Sequence, residues 1–525
     1  MPFTLYDTRK KSLVPFEPRR EGVVTIYNCG PTVYSTSHIG NFRTFLFTDL
    51  LRRYFEWRGL EVRQVMNITD VGHLTEDQRT DATGEDKLQK KARDLGWDPY
   101  RVARFYEEQF HTDRKAINIQ DAHHYPRATD HVCDMLVQIQ QLLDRGHAYI
   151  PEGTGEVYYD ISSFPSYGRL SGKTVEDLRA GARVEINEDK RHPADFALWK
   201  VDPNHLMQWD PHSDQVWSQY DGGRPLIDSR IGKGFPGWHI ECSAMSARYL
   251  GNEFDLHTGG EDNIFPHHEC EIAQAEGATR CEFARHWMHS RHLLVDGAKM
   301  SKSTGTLLTL EDIRIKGFTP IELRYLMITN HYRQQFNFTS DGLVAARASV
   351  ARLQNARNML AERAQSAPPD SKPTSAVAAR IAAFERDYGK SLDDDLNVSN
   401  AIAALFAFVG DVHRLDPSAS DAVHLLRALD KADHVLGVLS RDVSRVGLIS
   451  RAELTGEEAA ARTPAQLTAL FAEEMSLPTL RALAQIRHAA RLGKDYGTAD
   501  AIRDHLKKAG VTFEDTAEGV RYRLP

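Results

Sequence analysis

Long apolar runs are what this chain of 525 residues most plainly lacks. No stretch approaches the ~20 consecutive apolar residues that cross a bilayer, and Met1 to Arg9 holds no apolar segment of the secretory kind. No membrane is expected, and a cytoplasmic location is the default. Cysteine is scarce. The five present, Cys29, Cys133, Cys242, Cys270 and Cys281, are odd in number and widely spaced, which argues against a disulfide framework and leaves reduced thiols or metal ligands. A dominant charge is missing too: 65 Lys and Arg stand against 73 Asp and Glu, and the net charge of -8 does not announce a nucleic-acid binder. Phosphate contacts are local and screened within ~10 Å at moderate salt, so a basic surface under a negative total is not excluded. Nothing repeats at a fixed period. What is present is ordinary: 41% apolar and 26% charged residues indicate neither disorder nor a fibrous architecture, and the length suits roughly three domains at ~150 residues each.

Val23 to Asn28 is a β-branched run that reads as a strand. A turn rich in Gly, Pro and Ser follows, and Asn41 to Arg58 then carries Phe42, Leu46, Leu50, Tyr54 and Trp57 at helical spacing, with Gly59 as the cap. Leu60 to Met66 alternates like a strand, so residues 23–66 read as a βαβ unit whose first turn holds His38. Further on, Glu253 to His257 is a strand, Pro266 suits the first turn of a helix running to about Glu276 and stopping at Gly277, and Leu293 to Val295 is a third short strand ahead of Lys299. The stretch between, roughly 125–235, is rich in aromatics, His, Pro and Gly and reads as an insertion. From about 341 the text turns helical, as in Ala345, Val350, Leu353, Ala356 and Leu360, with Gln365 to Ser375 as a proline-rich linker. Helical patterns resume at about 376–389, 399–413, 421–437 and 465–492, which makes a bundle. The tail predicts a helix over Ala499 to Lys508 stopped by Gly510, then a hairpin of Val511 to Phe513 and Val520 to Leu524 around Gly519.

Two separated segments, His38-Ile39-Gly40-Asn41 and Lys299-Met300-Ser301-Lys302-Ser303, resemble the paired ATP-handling signatures of class I aminoacyl-tRNA synthetases, written HIGH and KMSKS. Activating a carboxylate with ATP requires attack on the α-phosphate, and the charge that develops on phosphate oxygens must meet fixed donors and cations. His38, Lys299 and Lys302 are suitable types. Singly, the first segment is a helix entry and the second a basic loop; together, in this order and around a βαβ unit, they point to a nucleotide enzyme. His257 to Asp262 adds Gly259 and Gly260 after a strand, where backbone approaches a flat ligand such as adenosine. His267 and Glu271, four apart on one helix face, suit either a Zn²⁺ site or a hydrogen-bonded surface pair. Cys29 and Cys242 read as ligands or as buried small hydrophobes, and no spacing rule joins positions so far apart.

Cys29 to Tyr34 with His38 to Asn41, Asn67 to Asp70, Gly237 to Met245, Phe265 to Glu269 and the Lys299 loop, taken in order, resemble the cysteinyl-tRNA synthetases. The resemblance covers most of the chain, extending through Ser391 to Asn397 and the segments at Lys494 and Glu514. It implies an α/β fold: a Rossmann-like parallel-sheet catalytic domain with an insertion, a C-terminal α-helical bundle, and a small mixed α/β tail. The implied divisions are 1–340, with the insertion at about 125–235 and a signature-loop and stem-contact region at about 296–340, then 341–480 for tRNA binding and 481–525 for anticodon recognition. It also implies one Zn²⁺ per chain on Cys29, Cys242, His267 and Glu271, a cysteine pocket lined by Thr69 and Trp238, and catalysis by His38, Asn41, Lys299 and Lys302. ATP, taken with Mg²⁺, would meet Gly40, Gly259, Gly260, Asp262 and Lys302. The implied partners are L-cysteine, ATP and tRNA-Cys, and a monomer is expected. Asn41 departs from the second His of the signature, Phe235 stands where Arg is expected, and the stretch from Lys200 to Gly234 is longer than usual. Arg487, Arg491, Lys494, Arg503, Lys507 and Lys508 make the last helices basic, while Arg521 and Arg523 alternate with Val520, Tyr522 and Leu524, so one face of that strand is expected to be cationic and the other packed. The alternatives are a cysteine:aminosugar ligase of the mycothiol type, which should lack residues 341–525, and an inactive paralogue that binds tRNA.

Overall fold

The computed structural model describes residues 3–76, 83–173, 189–218, 220–300, 307–440, 446–455, 467–471, 477–516 and 519–523. Val23–Asn28 forms strand β1, buried on both faces as a central parallel strand must be. Helix α1, Ile39–Trp57, follows, and the chain turns at Gly59 with φ +84°. Strand β2, Glu61–Met66, returns parallel to β1, Val23 opposite Glu61 and Asn28 opposite Met66. Far along the chain come helix α2 (Trp238–Leu250), strand β3 (Phe254–Gly260), helix α3 (Glu269–Thr279) and strand β4 (Ala284–Ser290). The four strands make one parallel sheet in the order β4-β3-β1-β2. From β1 the chain winds outward to β2, and from β3 outward the other way to β4. The order reverses between β1 and β3, and at such a switch point a crevice opens beyond the strands' carboxyl ends. Cys29 leaves β1 on one side of it and Gly260 ends β3 on the other.

Several elements differ from the sequence-based expectation. Strand β4 was not legible, because it is buried on both faces and carries His286, Trp287 and His289 among its apolar residues, which leaves no alternation to read. Leu293–Val295 is a strand but pairs elsewhere, with Ala298–Lys299 and Phe336–Phe338. Pro266 does not open the regular helix: it pushes Phe265 into extended conformation (φ -143°, ψ 131°), as proline does to the residue before it, and Ile264–His268 forms a π-type turn ahead of α3. Gly277 lies inside α3 and does not stop it. A Cβ there would lie 3.1 Å from Tyr159 Oη and 3.2 Å from Leu142 Cδ2, so its role is close packing, and the helix ends at Arg280.

Between β2 and α2 in sequence lies a four-stranded antiparallel sheet in the order Phe235–Pro236, Phe196–Lys200, Val157–Tyr159, Ala148–Tyr149. After the parallel sheet come helices Ser340–Ala364, Ser375–Asp393, Val398–Leu415 and Ala419–Leu436. The proline-rich segment separates the first two. Val398–Leu415 is long and apolar enough by composition to pass for a membrane span. Its Ala401, Leu405, Phe408 and Val412 are buried, and Phe408 stacks on Phe384 at 4.2 Å, as in the core helix of a bundle.

Contacts divide the chain into two compact units, residues 1–353 with 366–438, and residues 354–365 with 439–525. In the second, helices Leu477–Leu492 and Tyr496–Lys508 close a core of Leu480, Leu483, Ile486, Ile502 and Leu506. The expected hairpin forms between Thr512–Asp515 and Gly519–Arg523, and it gains a third antiparallel strand, Val446–Ser450. Val520 and Tyr522 are buried against this core, as the packed face of that strand requires.

Candidate active site

His38 caps α1 through a reciprocal pair of hydrogen bonds. Its Nδ1 accepts from the Asn41 amide at 3.2 Å, and its own amide donates to Asn41 Oδ1 at 3.0 Å. With Nδ1 committed as an acceptor, a neutral ring carries its proton on Nε2. The positive end of a helix of 19 residues then faces the crevice, a natural place for anionic oxygens.

Lys299 ends a short hairpin with Leu293–Val295, while Ser301, Lys302 and Ser303 lie outside the described residues. The two signature segments nevertheless meet at described atoms. A Cβ on Gly40 would stand 2.5 Å from Met300 Cε and 3.0 Å from His38 Nδ1. Beyond the loop, the Ile39 amide donates to the Leu308 carbonyl at 2.8 Å, and His38 bridges Thr309. His38, Gly40, Asn41, Gly260, Asp262 and Met300 line one cavity of about 230 Å³. Gly259 serves differently: its bare Cα faces His268, whose Cε1 would be 2.7 Å from a Cβ there. Asp262 holds His292 Nε2 at 2.9 Å.

A neighbouring cleft of about 740 Å³ shares Cys29, His38 and Met300 and adds Asn67, Thr69, Trp238, Cys242 and His267. Cys29 follows β1, Cys242 lies in the second turn of α2, His267 in the π-type turn and Glu271 in the first turn of α3. Their ligand atoms all fall within 4.8 Å of one another and all four residues are buried. His267 Nε2 is 2.9 Å from Glu271 Oε1 and 3.6 Å from Cys242 Sγ, and Cys29 Sγ is 3.8 Å from Glu271 Oε1. Tetrahedral zinc, with bonds of about 2.0–2.3 Å, needs ligand atoms roughly 3.3–3.8 Å apart. The separations of 3.6 and 3.8 Å suit such a cation, the 2.9 Å between His267 and Glu271 is that of a hydrogen-bonded pair, and the donor types suit a divalent cation of borderline softness.

Electrostatics point the same way. Burial pushes the Cys29 and Cys242 thiols up, Cys242 well above its ordinary value. Burial opposes charge on Glu271 as well, yet His257 and His267 hold its carboxyl down to about 2. His267, despite burial, is lifted to about 10 by Glu271 and Cys242. A divalent ion would take the place of the protons that the two thiols and His267 otherwise keep.

Among the described residues a second set, Cys29, His257, His268 and Glu271, is equally close-knit. The two sets differ in exposure to the cleft: Cys242 and His267 line it, whereas His257 and His268 are wholly buried. His257, His268 and His239 each contact a member of the first set. His257 Nε2 meets Glu271 Oε2 at 2.7 Å, His268 Nε2 lies 3.3 Å from Cys29 Sγ, and His239 Nδ1 meets His267 Nδ1 at 2.9 Å. Partners of this kind fix ring orientation and ligand basicity. Trp238 stacks on His267 with centroids 4.2 Å apart, and Thr69 Oγ1 hydrogen-bonds Glu241. Cys270 points away, its Sγ 3.3 Å from Tyr167 Oη, and all five cysteines are free thiols.

Residues 15–215 and 210–348 match the family described as tRNA synthetases class I (C) catalytic domain, and residues 387–440 match the DALR domain. The chain is similar to the cysteine–tRNA ligase of Thermus thermophilus, 42% identical over the whole of both chains, and to that of Deinococcus radiodurans, 40% identical over 99% of this chain and 96% of that one. The chain belongs to the cysteine–tRNA ligase family. Among solved structures, its fold is similar to methionyl-tRNA synthetase of Mycobacterium tuberculosis in complex with methionyl-adenylate (TM-score 0.52, 14% identity, 88% of this chain and 96% of that one). It also resembles the LeuRS–tRNA–LeuAMS complex of Agrobacterium radiobacter K84 (TM-score 0.53, 12% identity, 80% and 85%).

For this cysteine–tRNA ligase family member, the departures noted in the sequence have local explanations. Asn41 replaces the signature's second His and closes the capping box with its Oδ1. Phe235, where Arg is expected, is buried and stacks on His205 at 3.9 Å, and His205 comes from the lengthened stretch. That stretch is tied down where the Leu206 amide donates to Gln89 Oε1 at 2.7 Å.

Proposed function

We propose that this chain activates L-cysteine with ATP, taken as its Mg²⁺ complex, and charges tRNA-Cys. In the first step a carboxylate oxygen of cysteine attacks the α-phosphorus, the bond to the bridging oxygen breaks, and pyrophosphate leaves with the electron pair, giving cysteinyl-adenylate. In the second, a ribose hydroxyl of the 3′-terminal adenosine attacks the acyl carbon and AMP leaves. His38 donates from Nε2 to the phosphate oxygens as charge develops there, Asn41 holds that ring, and the α1 amides add their dipole. Lys299 and Lys302 supply cations for the same developing charge. Gly40, Gly259, Gly260 and Asp262 shape the adenosine side, and Thr69 and Trp238 the amino-acid pocket.

Cys29, Cys242, His267 and Glu271 hold one Zn²⁺, which supplies a soft Lewis acid for the substrate's sulfur and disfavours serine, whose hydroxyl is harder and far less acidic. An apolar pocket would reject such an isostere by only ~10²-fold. Residues 341–480 bind tRNA and 481–525 read the anticodon, in a monomer of the cytoplasm. The alignment of whole-length ligases across residues 341–525 favours this reading over an aminosugar ligase.

The observation that carries the proposal is the buried set of Cys29, Cys242, His267 and Glu271, of which the two cysteines and His267 line the cleft that also holds His38 and Met300. Cysteine-dependent ATP–pyrophosphate exchange tests it. Exchange with cysteine and not serine, abolished by chelation, restored by Zn²⁺ and followed by charging of tRNA-Cys, is expected. Exchange that survives complete removal of the metal would overturn the zinc assignment.

A further inference from the structure

Glu241 is wholly buried in the first turn of α2, and nothing in the reaction just proposed employs it. It lies three residues after Trp238. Its Oε2 accepts the hydroxyl of Thr69 at 3.0 Å, and Thr69 Oγ1 in turn accepts from Asn67 Nδ2 at 3.0 Å. The other oxygen, Oε1, has no hydrogen-bond partner among the described residues. It faces Gly72, held at φ +73°, where a Cβ would come 3.4 Å from Oε1 and 2.7 Å from the Pro236 carbonyl. The positive φ and the Pro236 carbonyl require glycine at 72, and 3.4 Å from Oε1 is ordinary van der Waals contact.

Burying a carboxyl group with one oxygen unbonded is costly, and a cost of this kind beside a substrate cleft calls for a return. A hydroxyl has one donor and two acceptor positions. Thr69 spends its proton on Glu241 and one acceptor position on Asn67. One acceptor position remains, and Thr69 lines the cleft beside Trp238, Cys242 and His267.

We propose that Glu241 is a positioning residue for the amino-acid pocket: by taking the Thr69 hydroxyl proton it fixes that oxygen as an acceptor for the substrate's ammonium group. The proposal rests on the cysteine-activation reading above. The carbonyl oxygen of a glutamine accepts the same hydrogen bond, so the role belongs to the acceptor atom and not to a charge.

Kinetics of exchange with the zinc-loaded full-length protein test this, together with cysteine binding followed by tryptophan fluorescence and metal content per chain. Glu241→Ala and Thr69→Val should each raise KM for cysteine about tenfold, the size of one lost hydrogen bond, with KM for ATP and zinc content unchanged. The double variant should be no worse than the worse single one, because both changes break one interaction. Glu241→Gln should stay within about twofold of wild type. Additive effects in the double variant, an equal rise in KM for ATP, or a Gln variant as impaired as the Ala one would overturn the proposal. Thr69→Val decides the matter should Glu241→Ala not fold: an unchanged KM for cysteine in that variant sinks it. A wild-type protein without any cysteine-dependent exchange overturns the parent reading, and this one with it.

Discussion

Gly40 is where the two signature segments press hardest on each other. A methyl group there must displace Met300 Cε, which is the far end of a flexible side chain, or the His38 ring, which is pinned by its cap. Neither shift disturbs the core, so the cost falls on the alignment of donors around the α-phosphate, where misplacement by about 1 Å is worth ~10²-fold in rate. Gly40→Ala should therefore slow exchange by roughly that factor while the melting temperature stays within a few degrees of wild type, and adding Met300→Ala should recover part of the rate. A Gly40→Ala protein with full exchange activity would show that the close approach is incidental. Residues of this kind were legible in the sequence as members of a motif, but not as contacts. Of the four donors only His267 and Glu271 have a spacing that joins them. Cys29 and Cys242 needed the family resemblance. His239, His257 and His289 had no local signal, since they meet the candidate donors or other histidines only through tertiary packing, as where strand register sets His289 beside Gly259, whereas His268 lies three residues before Glu271.

At the scale of elements, α1 is fixed by a buried carboxylate. Asp49 Oδ2 accepts from Arg53 Nε at 2.8 Å and from Arg324 Nη2 at 2.7 Å, and Oδ1 from the Gln120 amide at 2.8 Å. Arg324, fully buried in helix Pro320–Ile328, also donates to the carbonyls of Asn118 and Leu436, so four separate parts of the first unit converge on one charge pair. Burial alone would push the Asp49 carboxyl up, but the guanidinium groups of Arg324 and Arg53 hold it below the usual aspartate range. A group with its pKa lowered on folding stabilises fully above its unfolded value of ~3.9, and loses that contribution as pH falls through the folded value. Asp49→Asn should cost about 3–5 kcal/mol at neutral pH by leaving Arg324 uncompensated. The gap between wild type and variant in urea unfolding should narrow as pH drops below ~4. A gap constant from pH 7 to pH 3 would mean that the Asp49 pKa is not lowered on folding. Elements with strong periodicity, β1, α1, β2 and the helices between residues 340 and 436, were legible within a few residues, whereas the pattern over 465–492 corresponds to two described helices, Leu467–Phe471 and Leu477–Leu492, with residues 472–476 outside the described residues. Strand β4 and Val446–Ser450 were not, the first because it is buried on both faces with histidines among the buried residues, the second because its pairing partner lies far down the chain.

The whole molecule carries a net charge of -8 and yet, on the reading above, must hold a polyanion. The basic residues near the C-terminus are less available than their count suggests. Arg487 and Arg491 both engage Asp515, and Arg503 pairs with Asp500 and Asp504. Affinity for tRNA must then come from a limited number of local phosphate contacts against a mildly repulsive background, and each contact releases counterions. Even about four such contacts weaken binding roughly a hundredfold between 50 and 200 mM salt. Amino-acid activation involves no such release, and the buried donor set around His267 is screened far less than a surface charge. Titrating potassium chloride should therefore raise KM for tRNA-Cys steeply while cysteine-dependent exchange without tRNA changes by no more than about twofold. Substituting Asp515 with Asn should lower KM for tRNA at a fixed salt concentration by freeing Arg487 and Arg491, and should leave exchange untouched. Parallel loss of both activities with salt would instead place the sensitivity in the catalytic unit, and an unchanged KM in Asp515→Asn would remove those two arginines from the tRNA-binding surface.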